Sequence, residues 1–192
     1  MQAKEMGSGN SSRVPPIEIG DKDEYRYIST VETSKALKLY GYGPKKRFVD
    51  ALYISPDNSK AVGVLRVTEE HCIDHFVGNP VFRGVDELEA IAQTLLLLKH
   101  FSGEIGEGYT PRLEKSTVFP KWPVIPPVDV NIVVAKLGDG SFGGYGRILC
   151  GETVVVEGIV AGSLLSKELG GRIISRRKRN QDNSPSLFSV KE

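Results

Sequence analysis

Two side chains in the middle of this chain have the types and setting to move protons. His75 stands in a short loop, and Glu89 follows between Leu88 and the small apolar run Ala90, Ile91 and Ala92. A neutral imidazole is available as a base near neutral pH, because its ordinary pKa is about 6.5. A carboxyl among apolar neighbours is costly to bury in its charged form, which favours the protonated acid. A base and an acid of this kind suit general acid–base catalysis, in which one group removes a proton while the other supplies one. Each residue alone also has a plainer reading: His75 as a structural loop histidine, Glu89 as a partly exposed helix acid.

The elements that must position the pair can be read from the pattern around them. Gly78, Pro80 and Gly84 punctuate the loop that carries His75 and shape its backbone. From Val85 the period is helical. Val85, Leu88, Ala92, Leu95 and Lys99 fall on one side, with Ile91 and Leu96 widening it. Asp86 and Glu87 lie in the first turn, where carboxylates suit the positive end of a helix. Lys99 and His100 lie in the last turn, and Gly103 is a stop. The leucine run 95–98 predicts deep burial. On the same side as Glu89 and one turn on, Gln93 is placed to hydrogen-bond that carboxylate or to pack.

Either side of this helix the chain reads as strands. Residues 48–55 and 60–68 form a hairpin about the turn 56–59. A break at 41–46 separates it from a short helix at 30–39, with a cap near Thr33 or Ser34. Beyond the helix, 103–111 reads as a loop and 112–118 as a strand. A proline-interrupted stretch then leads to strands at 130–137, 145–149 and 153–160. The tally is α+β: a curved antiparallel sheet of about five or six strands wrapped around one long central helix.

Composition narrows the class. At 192 residues with 40% hydrophobic content, one domain with a sizeable core is the expectation, spanning 17–165. A polar lead at 1–16 reads as disordered, and 166–192 as a polar and basic extension carrying Arg176, Arg177, Lys178 and Arg179. A net charge of +1 gives no mandate for nucleic acid or membrane. Cys72 and Cys150 make neither a disulfide framework nor a metal site, and read as reduced thiols of a cytoplasmic protein. The first residues lack the apolar core of a signal peptide, and no run is long enough to span a membrane. The glycine-rich stretch around 138–146 lacks the lysine and hydroxyl ending of a phosphate loop.

The run HFVGNPVFRGVDELEAIAQ, 75–93, resembles the signature of the beta-hydroxyacyl-acyl carrier protein dehydratases of type II fatty acid synthesis, roughly HFPGxPxxPGVxxxEAxAQ. Phe76, Gly78, Pro80, Gly84, Val85, Glu89, Ala90, Ala92 and Gln93 keep the pattern. Val77 and Arg83 replace two of its prolines. The resemblance covers about 45–162, including the early hairpin and the segment 119–134, where Pro123, Pro126 and Asp129 fall near family positions.

That resemblance implies the hotdog fold and reversible dehydration of a 3-hydroxyacyl thioester to the trans-2-enoyl form, without cofactor or metal. It implies His75 as base and Glu89 as acid, drawn from opposite chains of a homodimer, and the backbone N–H of Gly84 as the group polarising the thioester carbonyl. Substrate contacts are expected from Phe76, Gly78, Phe82, Arg83, Val85, Gln93 and Trp122. The expected partners are an acyl thioester on acyl carrier protein or coenzyme A and a second copy of the chain, as a dimer or a trimer of dimers. Arg83 could loosen the loop or reach a phosphate on the carrier arm. Two alternatives share the fold: an acyl thioesterase, and a non-catalytic protein that binds acyl chains or a partner.

Overall fold

The structure, a computed structural model, describes residues 17–73, 78–106, 109–138, 142–166 and 168. The lead 1–16, most of the extension beyond 166, and the loop residues His75 and Phe76 lie outside the described residues.

The chain begins with β1 (Arg26–Ile28) and α1 (Thr30–Leu39), then the hairpin of β2 (Ala51–Ile54) and β3 (Lys60–Val67). The long helix α2 (Gly84–Phe101) follows. After it come β4 (Tyr109–Leu113), β5 (Thr117–Pro120), β6 (Val128–Lys136), β7 (Phe142–Cys150) and β8 (Thr153–Ser166). All pair antiparallel in one sheet of order β1-β2-β3-β6-β7-β8-β4, with β5 also on β8. Among the described residues eight strands stand where about five or six were expected. The difference lies in β1, too short to carry a period, and in the stretch expected as a single strand at 112–118, which is two. Glu114 and Lys115 both donate backbone N–H to the Ala161 carbonyl, and this irregularity divides β4 from β5 along the same edge of β8.

Alternation fixes the sheet's two faces. On β6, Val130, Ile132 and Val134 turn inward to α2, while Val133 turns outward to pack with Val62 and Tyr25. From Ala90 to Lys99 every residue of α2 is buried, because the sheet takes one side and Ala36, Leu37 and Tyr40 of the α1 region join the same core. The sheet lies close beneath the helix because β7 and β8 carry glycine there. A Cβ added at Gly158 would stand 2.6 Å from Ile91 Cδ1, and one at Gly146 would fall directly on Ile91.

The short helix α1 is capped by Ser29, upstream of the expected Thr33 or Ser34. The Glu32 backbone N–H donates to Ser29 Oγ at 3.4 Å, and the Ser29 N–H to Glu32 Oε2 at 2.9 Å, a reciprocal box. Thr33 is instead buried within the helix, its hydroxyl donating to the Asp50 carbonyl at 2.7 Å. At the far end of α2, Glu104 accepts from the buried Lys99 at 2.7 Å and from Lys136 of β6, tying helix end to strand end.

Candidate active site

The first turn of α2 departs from the expected amphipathic order. Val85, expected on the apolar side, is 69% exposed, whereas Asp86 and Glu87 are buried. Asp86 accepts this burial with two cations, Arg83 Nε at 2.5 Å and Lys46 Nζ at 3.1 Å. Arg83, the residue in place of a family proline, is the N-cap of α2 and makes no side-chain cap bond. Its carbonyl accepts the N–H groups of Asp86 and Glu87, both at 2.9 Å. Among the described residues nothing accepts the Gly84 N–H, so the helix start presents an unpaired donor of the kind a developing oxyanion needs.

Glu89 is half-buried rather than enclosed. It has a polar neighbour on each of two sides. Gln93 Nε2 donates to Glu89 Oε1 at 3.2 Å, and the Tyr42 phenol lies near enough to the same carboxylate to feel its charge. Burial first, and then the nearby Glu89 carboxylate, push the Tyr42 phenol well above its ordinary range, so it keeps its proton. Gln93 is itself fixed. Its amide nitrogen also donates to the Lys46 carbonyl at 2.8 Å, and its oxygen accepts the Phe48 N–H at 2.8 Å. With its amide committed to protein groups, Gln93 bears on a substrate through the carboxylate it holds. Tyr42 was not singled out by the sequence, where it reads only as part of a glycine and proline break.

On the other side of the helix start is a pocket of about 320 Å³ lined by Val81, Phe82, Gly84, Glu87, Pro120, Lys121, Trp122 and Pro123. Phe82 is a core residue that packs edge-on to Phe48, and Trp122 is 64% exposed at the rim. Gly84, Phe82 and Trp122, expected near the substrate, therefore share one cavity. Gly78 adopts a φ of +76°, in the left-handed region that glycine alone enters without cost, and so turns the chain as it returns to the helix.

Two neighbouring groups are excluded as substitutes for His75. His71 lies before the same loop, but its Nδ1 accepts the Thr68 backbone N–H at 3.0 Å. The neutral ring then carries its proton on Nε2 and presents a donor there, not a base. The buried Cys72 thiol is pushed up by desolvation and then by Asp86, which keeps it from the thiolate form a nucleophile needs.

A curved antiparallel sheet around one long helix makes this a hotdog-fold protein. Solved structures share the arrangement: the dehydratase heterocomplex ApeI:P from Xenorhabdus doucetiae (TM-score 0.58, 14% identity, covering 72% of this chain and 96% of that one); a Thermus thermophilus thioesterase superfamily member (0.53, 15%, 65% and 94%); and a hot-dog-like protein from Thermanaerovibrio acidaminovorans (0.52, 14%, 62% and 90%). No protein-family model matches the chain. In sequence it is 30% identical to the 3-hydroxyacyl-acyl-carrier-protein dehydratase FabZ of Bartonella henselae, the match covering 74% of this chain and 96% of that protein. The chain belongs to the FabZ dehydratase family, as a divergent member.

Among the described residues no helix is long and apolar enough to cross a membrane, and no group of histidine, cysteine and carboxylate side chains could hold a metal ion.

Proposed function

We propose that this protein dehydrates a 3-hydroxyacyl thioester, carried on acyl carrier protein or coenzyme A, to the trans-2-enoyl thioester, and catalyses the reverse hydration. His75 takes the proton next to the thioester carbonyl, which the carbonyl acidifies. Glu89 delivers a proton to the departing hydroxyl. The Gly84 N–H, at the positive end of α2, stabilises charge on the carbonyl oxygen. Each site draws His75 from one chain and Glu89 from the other in a homodimer.

The observation that carries this reading is the fixing of Glu89. A half-buried helix carboxylate that accepts from Gln93 and has the Tyr42 phenol beside it is a group positioned for use, since a merely tolerated acid would turn to solvent. The unpaired Gly84 amide at the start of the same helix supplies the electrostatic half of the chemistry.

The test is a spectrophotometric assay with a 3-hydroxyacyl thioester, followed at the absorbance of the conjugated enoyl product. The wild-type chain is expected to form it, and His75→Ala and Glu89→Gln are each expected to lose at least about a hundredfold in kcat. Full activity in both variants would remove these roles. Release of free thiol without enoyl product would make the protein a thioesterase instead, and tight acyl binding without either product a non-catalytic binder.

A further inference from the structure

Glu87 is the acid that the mechanism above leaves idle, and it is the more deeply buried of the two. It is 3% exposed, and its Oε2 is enclosed without a hydrogen-bond partner. Nothing among the described residues donates to its carboxyl. A buried polar atom left unpaired costs free energy that a folded chain ordinarily avoids. Its position suggests the missing donor. Glu87 lines the pocket that also contains Gly84, and a Cβ added to Gly84 would meet Glu87 Oε2 at 3.8 Å. The carboxyl thus looks onto the backbone that would polarise the thioester. Around the α2 axis, residues 87 and 89 lie about 200° apart, so the two acids flank the helix start on opposite sides.

We propose that Glu87 accepts a hydrogen bond from an amide N–H on the carrier-side arm of the thioester, and is a specificity-determining residue for substrates whose arm bears that amide. This rests on the dehydratase reading for its orientation. A thioester carbonyl over the Gly84 N–H has its acyl chain leaving on one side and its sulfur on the other. With the 3-hydroxyl directed to Glu89, the sulfur side runs toward Glu87. Acyl carrier protein and coenzyme A both present their thiol on a two-carbon spacer ending in an amide, which places an N–H within a few bonds of the sulfur. The pocket suits such an arm. Val81, Phe82, Pro120, Trp122 and Pro123 offer apolar walls for methylenes. Lys121, which can only donate and lies 3.3 Å from Glu157, offers the arm no acceptor, whereas the Glu87 carboxyl does. Desolvation, and secondarily the Asp86 charge, push Glu87 up to about 7, and either protonation state keeps an oxygen able to accept.

The test separates binding from turnover by using unreactive thioethers. Two probes of equal length are compared: S-butyl-N-acetylcysteamine, and its ester analogue with oxygen in place of the N–H. The protein has one tryptophan, Trp122, and it lines this pocket, so its fluorescence reports occupancy directly. The wild-type chain is expected to bind the amide probe roughly tenfold more tightly than the ester. In Glu87→Met, unbranched and without an acceptor, the ratio should fall to about one. Equal affinity for the two probes in the wild type, no affinity for either, or a ratio that survives in Glu87→Met overturns the proposal. If that variant does not fold, the two probes on the wild-type chain decide. A protein that prefers the amide probe but forms no enoyl product keeps this subsite and loses the dehydratase reading. One that forms enoyl product but binds both probes alike does the reverse.

Discussion

At the scale of single residues, the two glutamates of α2 differ by environment rather than by type. In the proposed mechanism Glu89 is steadied by Gln93 and by the phenol beside it, so removing either should be felt in catalysis. Tyr42→Phe keeps the ring and deletes the hydroxyl. With the substrate bound away from the phenol, kcat should fall about tenfold, or about 1.4 kcal/mol, with KM little changed, because the phenol no longer steadies the carboxylate beside it. An unchanged kcat would show that Gln93 alone orients the carboxylate. Glu87 should instead be felt in stability. Its folded value of about 7 lies above the ordinary 4.5, so between those pH values the native state keeps a proton that the unfolded chain has released. Unfolding free energy therefore falls as pH rises through that window, by at most about 3 kcal/mol. Urea unfolding at pH 5 and pH 8 should show a larger loss for the wild type than for Glu87→Gln, which has no proton to release. Equal losses would mean that Glu87 titrates normally. The sequence made only one of these acids legible. Glu89 stood out because its neighbours are apolar, and Glu87 looked like an ordinary first-turn carboxylate. Which glutamate is enclosed is decided by Phe82 just before the helix and by Val118 and the 120–123 segment, which reach it from beyond the helix's far end.

At the scale of elements, the extent of α2 was legible almost to the residue, because its terminal charges and leucine run agree, while the apolar stripe read from Val85 fails in the first turn. The cap of α1 was legible too, in Ser29 and Glu32 at box spacing, but the reading placed it further along. The split of β4 from β5 was not, since it depends on how two segments share β8. Gly146 of β7 and Gly158 of β8 prove to be the floor on which Ile91 rests. Gly146→Ala should therefore destabilise the fold by about 1–3 kcal/mol through overpacking, more than alanine costs at an exposed strand position. Thermal melting of Gly146→Ala against Thr153→Ala, on an exposed strand residue, measures the difference. Equal melting points would mean that the helix has room to lift.

At the scale of the whole molecule, the hotdog arrangement follows from a simple requirement. A helix apolar on nearly all sides needs cover on nearly all sides, and one curved sheet with a short second helix provides it. The family resemblance implies a second copy of the chain as partner, and a shared site makes a prediction that a single-chain site does not. His75→Ala and Glu89→Gln, each inactive alone, should regain about a quarter of wild-type activity when unfolded together and refolded in equal amounts. Half of the resulting dimers are mixed, and one of the two sites in each is then intact. No recovery, with mixed dimers demonstrated, would place both groups within one chain. The mooring of α2 has a broader consequence. Glu104 and its lysines clamp one end, and glycine-floored strands grip the middle, so the axis behaves as an anvil rather than a piston. Longer or bulkier acyl groups would then be admitted by trading side chains at the rim, and drift toward a new chain length in this lineage should be written in the linkers and leave the spine alone.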